Sequence, residues 1–245
     1  MDETMKVGIF INNFSLLNKI TRKIKNSEFN LKHLKSIPKY DHEIDIIVTD
    51  KILEDCMTPY TIPDDLDILK LKIRSTYYNK HNLTLGIDPG GICGLAVLSK
   101  KHVLFCKEYD NIEQMAKIVK SIDREIGIDQ IKIGIGSPPH RNMIEQTLNM
   151  FEEKIIFVDE RQSGSGSHIE AAIRIASRFG NEKKPNEYKP KDGEIAWIQK
   201  QSRRLSKGLI TVDKETANKI LIGKLSMEEA IDYYTGKLIK KPQSN

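Results

Sequence analysis

Cysteine is scarce in this chain: Cys56, Cys93 and Cys106 are odd in number, far apart, and form no C-x-x-C pair. That argues against a thiolate zinc site and a disulfide framework, and it points to a reduced, cytoplasmic protein. Long apolar runs are missing as well. No stretch approaches the roughly 18 to 20 apolar residues of a membrane span, and Met1-Asp2-Glu3 is not a basic leader, so no membrane partner is expected. Nor is the composition that of a disordered chain, because 39% hydrophobic and 30% charged residues over 245 positions can build a core. The net charge of +5 is unevenly spread. Lys and Arg stand against Asp and Glu as 13 to 12 over residues 1–80, 11 to 13 over 81–177, and 15 to 9 over 178–245. A basic last quarter suits a solvated face or, more sharply, a polyanionic partner such as nucleic acid.

Two patterns of periodicity follow one another. KVGIFIN (6–12), LKHLKSI (31–37) and DIIVTD (45–50) read as strands. The apolar spacing after Ser15 reads as a helix with that serine as its N-cap. Turn residues interrupt the period at TPYTIPDD (58–65), and LDILKLKIRSTYY (66–78) is expected to be a connecting strand. This gives a small α/β domain over 1–80, with no role assigned beyond a docking or homodimer surface.

From residue 83 the turns shorten. LTLGID, GICGLAVL and HVLFCKEY (102–109) are separated by Pro89-Gly90-Gly91 and Lys100-Lys101, which predicts an antiparallel meander. The helix NIEQMAKIVKSIDREI (111–126), the strand IKIGIG (131–136), a loop SPPHRN, a helix around 142–151 and the strand KIIFVD (154–159) come next. Ser167 and Glu170 then form a capping-box pattern ahead of HIEAAIRIASRF. The lysine-rich stretch 180–191 reads as a loop, GEIAWIQKQSRRLS (193–206) as a helix, and Ser226 opens the last helix. The order β-β-β-α-β-α-β-α predicts a mixed sheet with its first strand, ending at Asp88, in the middle.

Acids sit where strands give way to loops or loops to helices: Asp88, then Asp159 and Glu160, then Asp192 and Glu194. Carboxylates brought together from such places, without thiolates or paired histidines, suit Mg²⁺ or Mn²⁺, which keep waters and accept phosphate oxygens. Each acid also has an ordinary explanation. Asp88 can form a turn before Pro-Gly, Glu160 and Arg161 can be a surface ion pair, and Glu194 can favour the positive end of its own helix.

LGIDPGGICGLAVL resembles the first-strand motif of the RuvC-like Holliday-junction resolvases, within the ribonuclease H-like superfamily. VDERQSG is similar to the Asp-Glu-Arg motif of the YqgF-like nucleases, and the resemblance, to a divergent archaeal-type branch, covers roughly 83–205. It implies a ribonuclease H-like domain over 81–208, followed by a helical extension over 209–245. It further implies that Asp88 and Glu160 are metal ligands, joined by Glu194 or Asp192 at the start of the terminal helix. The stretch IGIGSPP holds no acid where the resolvases carry a glutamate, so Glu160 would take that place. Gln162 also separates Asp-Glu-Arg from the hydroxyl residues that usually follow it.

The expectation is a metal-dependent phosphodiester hydrolase acting on structured DNA or RNA. Gly90 and Gly91 would let the backbone approach a phosphate, and Lys183, Lys184, Lys189, Lys191, Arg203 and Arg204 would hold the strand, with Arg161 and His140 assisting. The alternatives are a nucleic-acid-binding protein that keeps this fold without hydrolysis, and an ATP-binding protein of the actin, Hsp70 and sugar kinase superfamily. The latter needs a second domain of the same kind.

Overall fold

The computed structural model describes residues 4–25, 28–79, 83–159, 166–180 and 189–239. It divides into two compact units. The first is Met1–Leu83 with Leu98–Phe105 and Lys117–Asp129, and the second is Thr84–Val97 with Cys106–Ala116 and Gln130–Asn245.

The N-terminal sheet consists of β1 (Met5–Phe10), β2 (Phe29–His33), β3 (Ile46–Thr49) and β4 (Tyr60–Thr61), in the order β2-β1-β3-β4 and parallel throughout. Parallel strands bury both faces, which is why Ile46, Ile47 and Val48 form an unbroken apolar run. Val7, Ile9 and Val48 pack with Ile20 and Ile24 of α1 (Phe14–Ile24), while Ile47 faces Ile44 and Leu53. The small α/β domain is therefore present, with two local differences from the sequence reading. Asn13 rather than Ser15 caps α1, its side chain accepting from the Leu16 N–H at 3.0 Å. The segment expected as a connecting strand is α2 (Leu69–Tyr77). Leu69 and Ile73 enter the core cluster on one side, and Leu71 and Ser75 are buried on the other. A helix covered on two sides hides every second residue and so imitates a strand.

The second sheet has five strands in the order β7-β6-β5-β8-β9: β5 (Leu83–Asp88), β6 (Cys93–Ser99), β7 (His102–Tyr109), β8 (Ile128–Gly134) and β9 (Ile155–Val158). The strand ending at Asp88 lies in the middle, as the sequence predicts. Lys100, at φ 55, turns the two-residue connection from β6 to β7, and a link that short joins only antiparallel neighbours. β8 and β9 are parallel, with Ile131 beside Ile155, so the sheet is mixed and its later strands arrive through helices. The helix α3 (Ile112–Glu125) buries Met115, Val119 and Ile122 on one face.

The helix α4 spans Pro138–Thr147 and begins inside the stretch expected to be a loop. Proline in a first helical turn loses no hydrogen bond, since those N–H groups have no partner within the helix. Ser167 and Glu170 form the expected capping box at α5 (His168–Ser177). Three more helices follow: α6 (Asp192–Leu205), α7 (Lys214–Leu221) and α8 (Met227–Ile239). α7 lies in the stretch expected only as a helical extension over 209–245, and its N-cap Asp213 accepts from the Thr216 N–H at 2.7 Å. Val212 ties α7 to α6, receiving a bond from Gln199 Nε2 at 3.0 Å and donating to Ser202 Oγ at 3.1 Å. Among the described residues no helix is long and apolar enough to cross a membrane.

Candidate active site at the end of the central strand

Two glycines bring α5 onto the sheet. A Cβ at Gly86 would stand 2.1 Å from the Ala172 carbonyl oxygen and 2.6 Å from the Ala176 nitrogen, and one at Gly94 would stand 2.0 Å from the His168 carbonyl oxygen. Only glycine lets helix backbone and strand backbone come this close. The capping box at Ser167 starts the helix at His168, whose side chain then meets the end of β5. His168 Nδ1 donates to Asp88 Oδ2 at 2.8 Å, since an ionised carboxylate can only accept. The Asp88 side chain is 14% exposed and that of His168 44%, so the pair lies at a surface opening. The sequence places His168 directly after the capping serine and gives it no functional role. Nothing in its spacing reveals one, because its nearness to Asp88 depends on Gly86 and Gly94, two glycines far from it in sequence.

The remaining expected acids are engaged elsewhere. Asp192 is 89% exposed and paired with Lys214 Nζ at 2.8 Å, which holds its carboxyl below the ordinary range. Glu194 closes the first turn of α6, its Oε2 accepting from the Lys191 N–H at 2.7 Å. Glu160, Arg161, Lys183 and Lys184 lie outside the described residues. Among the described residues no group of three His, Cys, Asp or Glu side chains could hold a metal ion. Asp88 offers one ligand oxygen to a hard divalent cation, since its Oδ1 accepts no hydrogen bond among the described residues. The described residues thus fit one position of a metal shell, and Glu160 is the acid on which the rest depends.

Beside Asp88, the β5–β6 turn lines a cleft together with α4 and α6. Gly90 and Gly91 face it with His140, Trp197 and Arg204. Early initiation of α4 places His140 in its first turn, where Nδ1 lies 2.7 Å from Ser137 Oγ. The ring meets Trp197 edge-on, with centroids 4.1 Å apart. His140 Nε2 is buried, with no hydrogen-bond partner among the described residues. Burial pushes the imidazole below its ordinary value, and the Glu194 carboxylate partly opposes that. Arg204 Nη2 donates to the Asp110 carbonyl at 3.2 Å. Four residues nominated from sequence, Gly90, Gly91, His140 and Arg204, therefore come together, whereas Lys189, Lys191 and Arg203 are solvent-exposed side chains.

Residues 191–235 are similar to a family described as a three helical bundle domain. That stretch begins one residue before α6 and takes in α7 and most of α8. The helix that walls the cleft is thus also the first helix of the matched bundle. No curated protein matches the chain.

Proposed function

We propose that the protein is a divalent-metal-dependent phosphodiester hydrolase acting on structured DNA or RNA, centred on Asp88. The observation that carries this reading is the position of Asp88, which closes the middle strand of the five-stranded sheet with one carboxylate oxygen held by His168. Resemblance to the RuvC-like and YqgF-like nucleases points the same way. Asp88 and Glu160, with Asp192 or Glu194, would hold Mg²⁺ or Mn²⁺, which in such sites activates water and stabilises the leaving oxygen. His168 fixes the orientation of the Asp88 carboxylate, leaving Oδ1 for a ligand. Gly91 leaves open space at the turn, with none of the described residues within 4 Å of the point a Cβ would occupy, so a phosphate could approach the backbone there.

Binding to nucleic acid without hydrolysis is the second reading. It is favoured by the pairing of Asp192 with Lys214 and by the use of Glu194 in its own helix cap. The ATP-binding alternative loses support, because the N-terminal sheet is wholly parallel and is not a second copy of the mixed sheet.

The full chain should be incubated with branched DNA junctions, flaps and structured RNA in millimolar Mg²⁺ or Mn²⁺. Cleavage is expected, and Asp88→Asn should reduce it at least about 100-fold, as loss of a group acting in the transition state does. Binding without cleavage of any of these substrates would overturn the hydrolase in favour of the second reading.

A further inference from the structure

The N-terminal unit is nearly balanced in charge over its sequence, but the two signs are kept apart. Residues 4–25 hold Lys6, Lys19, Arg22, Lys23 and Lys25 and no acid, and four of these five cations belong to α1 or its C-cap. Acids gather instead in the connections on either side of β3. There Asp41, Glu43, Glu54 and Asp55 flank Ile44 and Leu53 in sequence, the two residues that cover the other face of the sheet.

α1 turns Leu16, Leu17, Ile20 and Ile24 toward the core, which fixes what it shows to solvent. Ser15, Asn18, Arg22 and Lys25 follow at spacings of three and four, with Lys19 beside them, and all five are exposed. The stripe they form is about 15 Å long. Asp67, bonded to α1, is taken by Lys23 at 2.6 Å, and Glu28, the first acid after the helix, is taken by Arg74 at 2.5 Å. Lys19, Arg22 and Lys25 form no ion pair among the described residues. The helix dipole does not account for this pattern. It favours acids in a first turn and cations in a last one, whereas α1 has no acid in its first turn and Lys19 lies in mid-helix. Cations interleaved with Ser and Asn on an acid-free face are the groups that hold phosphate oxygens of a nucleic acid without reading its bases.

We infer that α1 is a phosphate-binding face, on which the N-terminal unit holds the backbone of a nucleic acid through Lys19, Arg22 and Lys25. The choice of this polyanion rests on the reading that the protein acts on nucleic acid, but not on Asp88 or on hydrolysis. It gives the first unit the part of a backbone clamp without sequence preference.

The test uses the full-length Asp88→Asn protein, so that cleavage cannot confuse binding. The probes are a labelled DNA duplex of about 20 base pairs and a branched junction, read by anisotropy between about 50 and 200 mM salt. Lys19→Gln, Arg22→Gln and Lys25→Gln together should weaken duplex binding about tenfold or more at low salt. They should also lower the slope of log affinity against log salt by about 2 to 3, since each lost phosphate contact removes about 0.9. Lys19→Arg with Lys25→Arg keeps the charge and should bind like the parent protein. The control Lys35→Gln, Lys39→Gln and Lys51→Gln removes the same charge from other exposed positions of the unit, and should change the slope by less than about 1. An unchanged slope in the α1 variant, or an equal fall in the control, would overturn the α1 face and leave the nucleic-acid reading standing. An acidic peptide of equal charge that bound α1 more tightly than the duplex would overturn it as well, in favour of a protein partner. Absence of binding by the parent protein to both probes at low salt would overturn the nucleic-acid reading itself, and the α1 face with it.

Discussion

The two sheets share a six-residue theme. β1 reads MKVGIF and β5 reads LTLGID: each is an interior strand with glycine in its fourth place and isoleucine after it. What covers the two glycines differs. A Cβ at Gly8 would meet side-chain tips, Leu34 Cδ1 at 2.9 Å and Ile44 Cγ2 at 3.1 Å, whereas one at Gly86 would meet the backbone of α5. Side-chain tips can rotate away and a helix backbone cannot. The first unit therefore uses its glycine as a convenience of packing, and the second uses it to bring a helix start onto the strand end. The carboxylates at the ends of interior strands in the two sheets differ accordingly. Asp50, just past β3, accepts from the main-chain N–H groups of Asn12 and Asn13 at 2.9 and 3.2 Å, where α1 begins. Asp88 is held instead by a titratable side chain. A main-chain latch secures a fold, while a side-chain partner leaves a carboxylate free to change partners.

Substituting the paired glycines tests this contrast with the largest expected effect. Gly86→Ala should cost about 3 kcal/mol, because a rigid overlap forces backbone shifts. Gly8→Ala should cost less than about 1 kcal/mol, because Leu34 and Ile44 can yield. Urea unfolding of both variants measures the difference. Equal losses would mean that contact between α5 and the strand does not require the glycine.

The paired aspartates come next. Asp50→Ala deprives two N–H groups at a helix start of their charged acceptor and should cost about 2 kcal/mol. Asp88→Asn keeps an acceptor for His168 at a partly open site and should change stability by less than about 1 kcal/mol. The same unfolding experiment reads both. If Asp88→Asn proved the more damaging, Asp88 would be a fastener like Asp50, and its claim to chemistry would weaken.

Much of this contrast is legible in the sequence, for identifiable reasons. The order of the second sheet follows from very short turns, which leave a meander no other pairing. The capping box at Ser167 is visible because both of its residues lie within one turn. Pro138 and Pro139 mislead, since a proline pair marks a loop unless it falls in a first helical turn. The segment 66–78 misleads because burial on two sides gives a helix the period of a strand. His168 cannot be found as a partner of Asp88, because their contact depends on Gly86 and Gly94 admitting α5. Asp192 shows the converse. Its place at the start of α6 is legible, but its engagement with Lys214 depends on how α7 packs on α6, and a helical extension over 209–245 does not say where that helix starts.

The smallest effect expected concerns acid. The first unit's described histidines, His33, His42 and His102, are exposed, whereas His140 in the second is shielded, and burial holds its pKa below the ordinary 6.5. A base with a depressed pKa binds fewer protons folded than unfolded between its two pKa values. Stability therefore rises with pH across that interval, is flat above about 6.5 and declines as pH falls below it. Glu194 opposes the shift, since its negative charge favours the protonated ring. Glu194→Gln should then steepen the acid loss, and His140→Asn, which can keep a partner for Ser137, should flatten it. Melting temperatures of the three proteins between pH 7.5 and 5 give the slopes, and hydrogen exchange should locate the acid-sensitive amides in α4 and α6 rather than in β1 and β3. If β1 and β3 lost protection first, acid sensitivity would belong to the N-terminal unit, and the buried histidine would not be its cause.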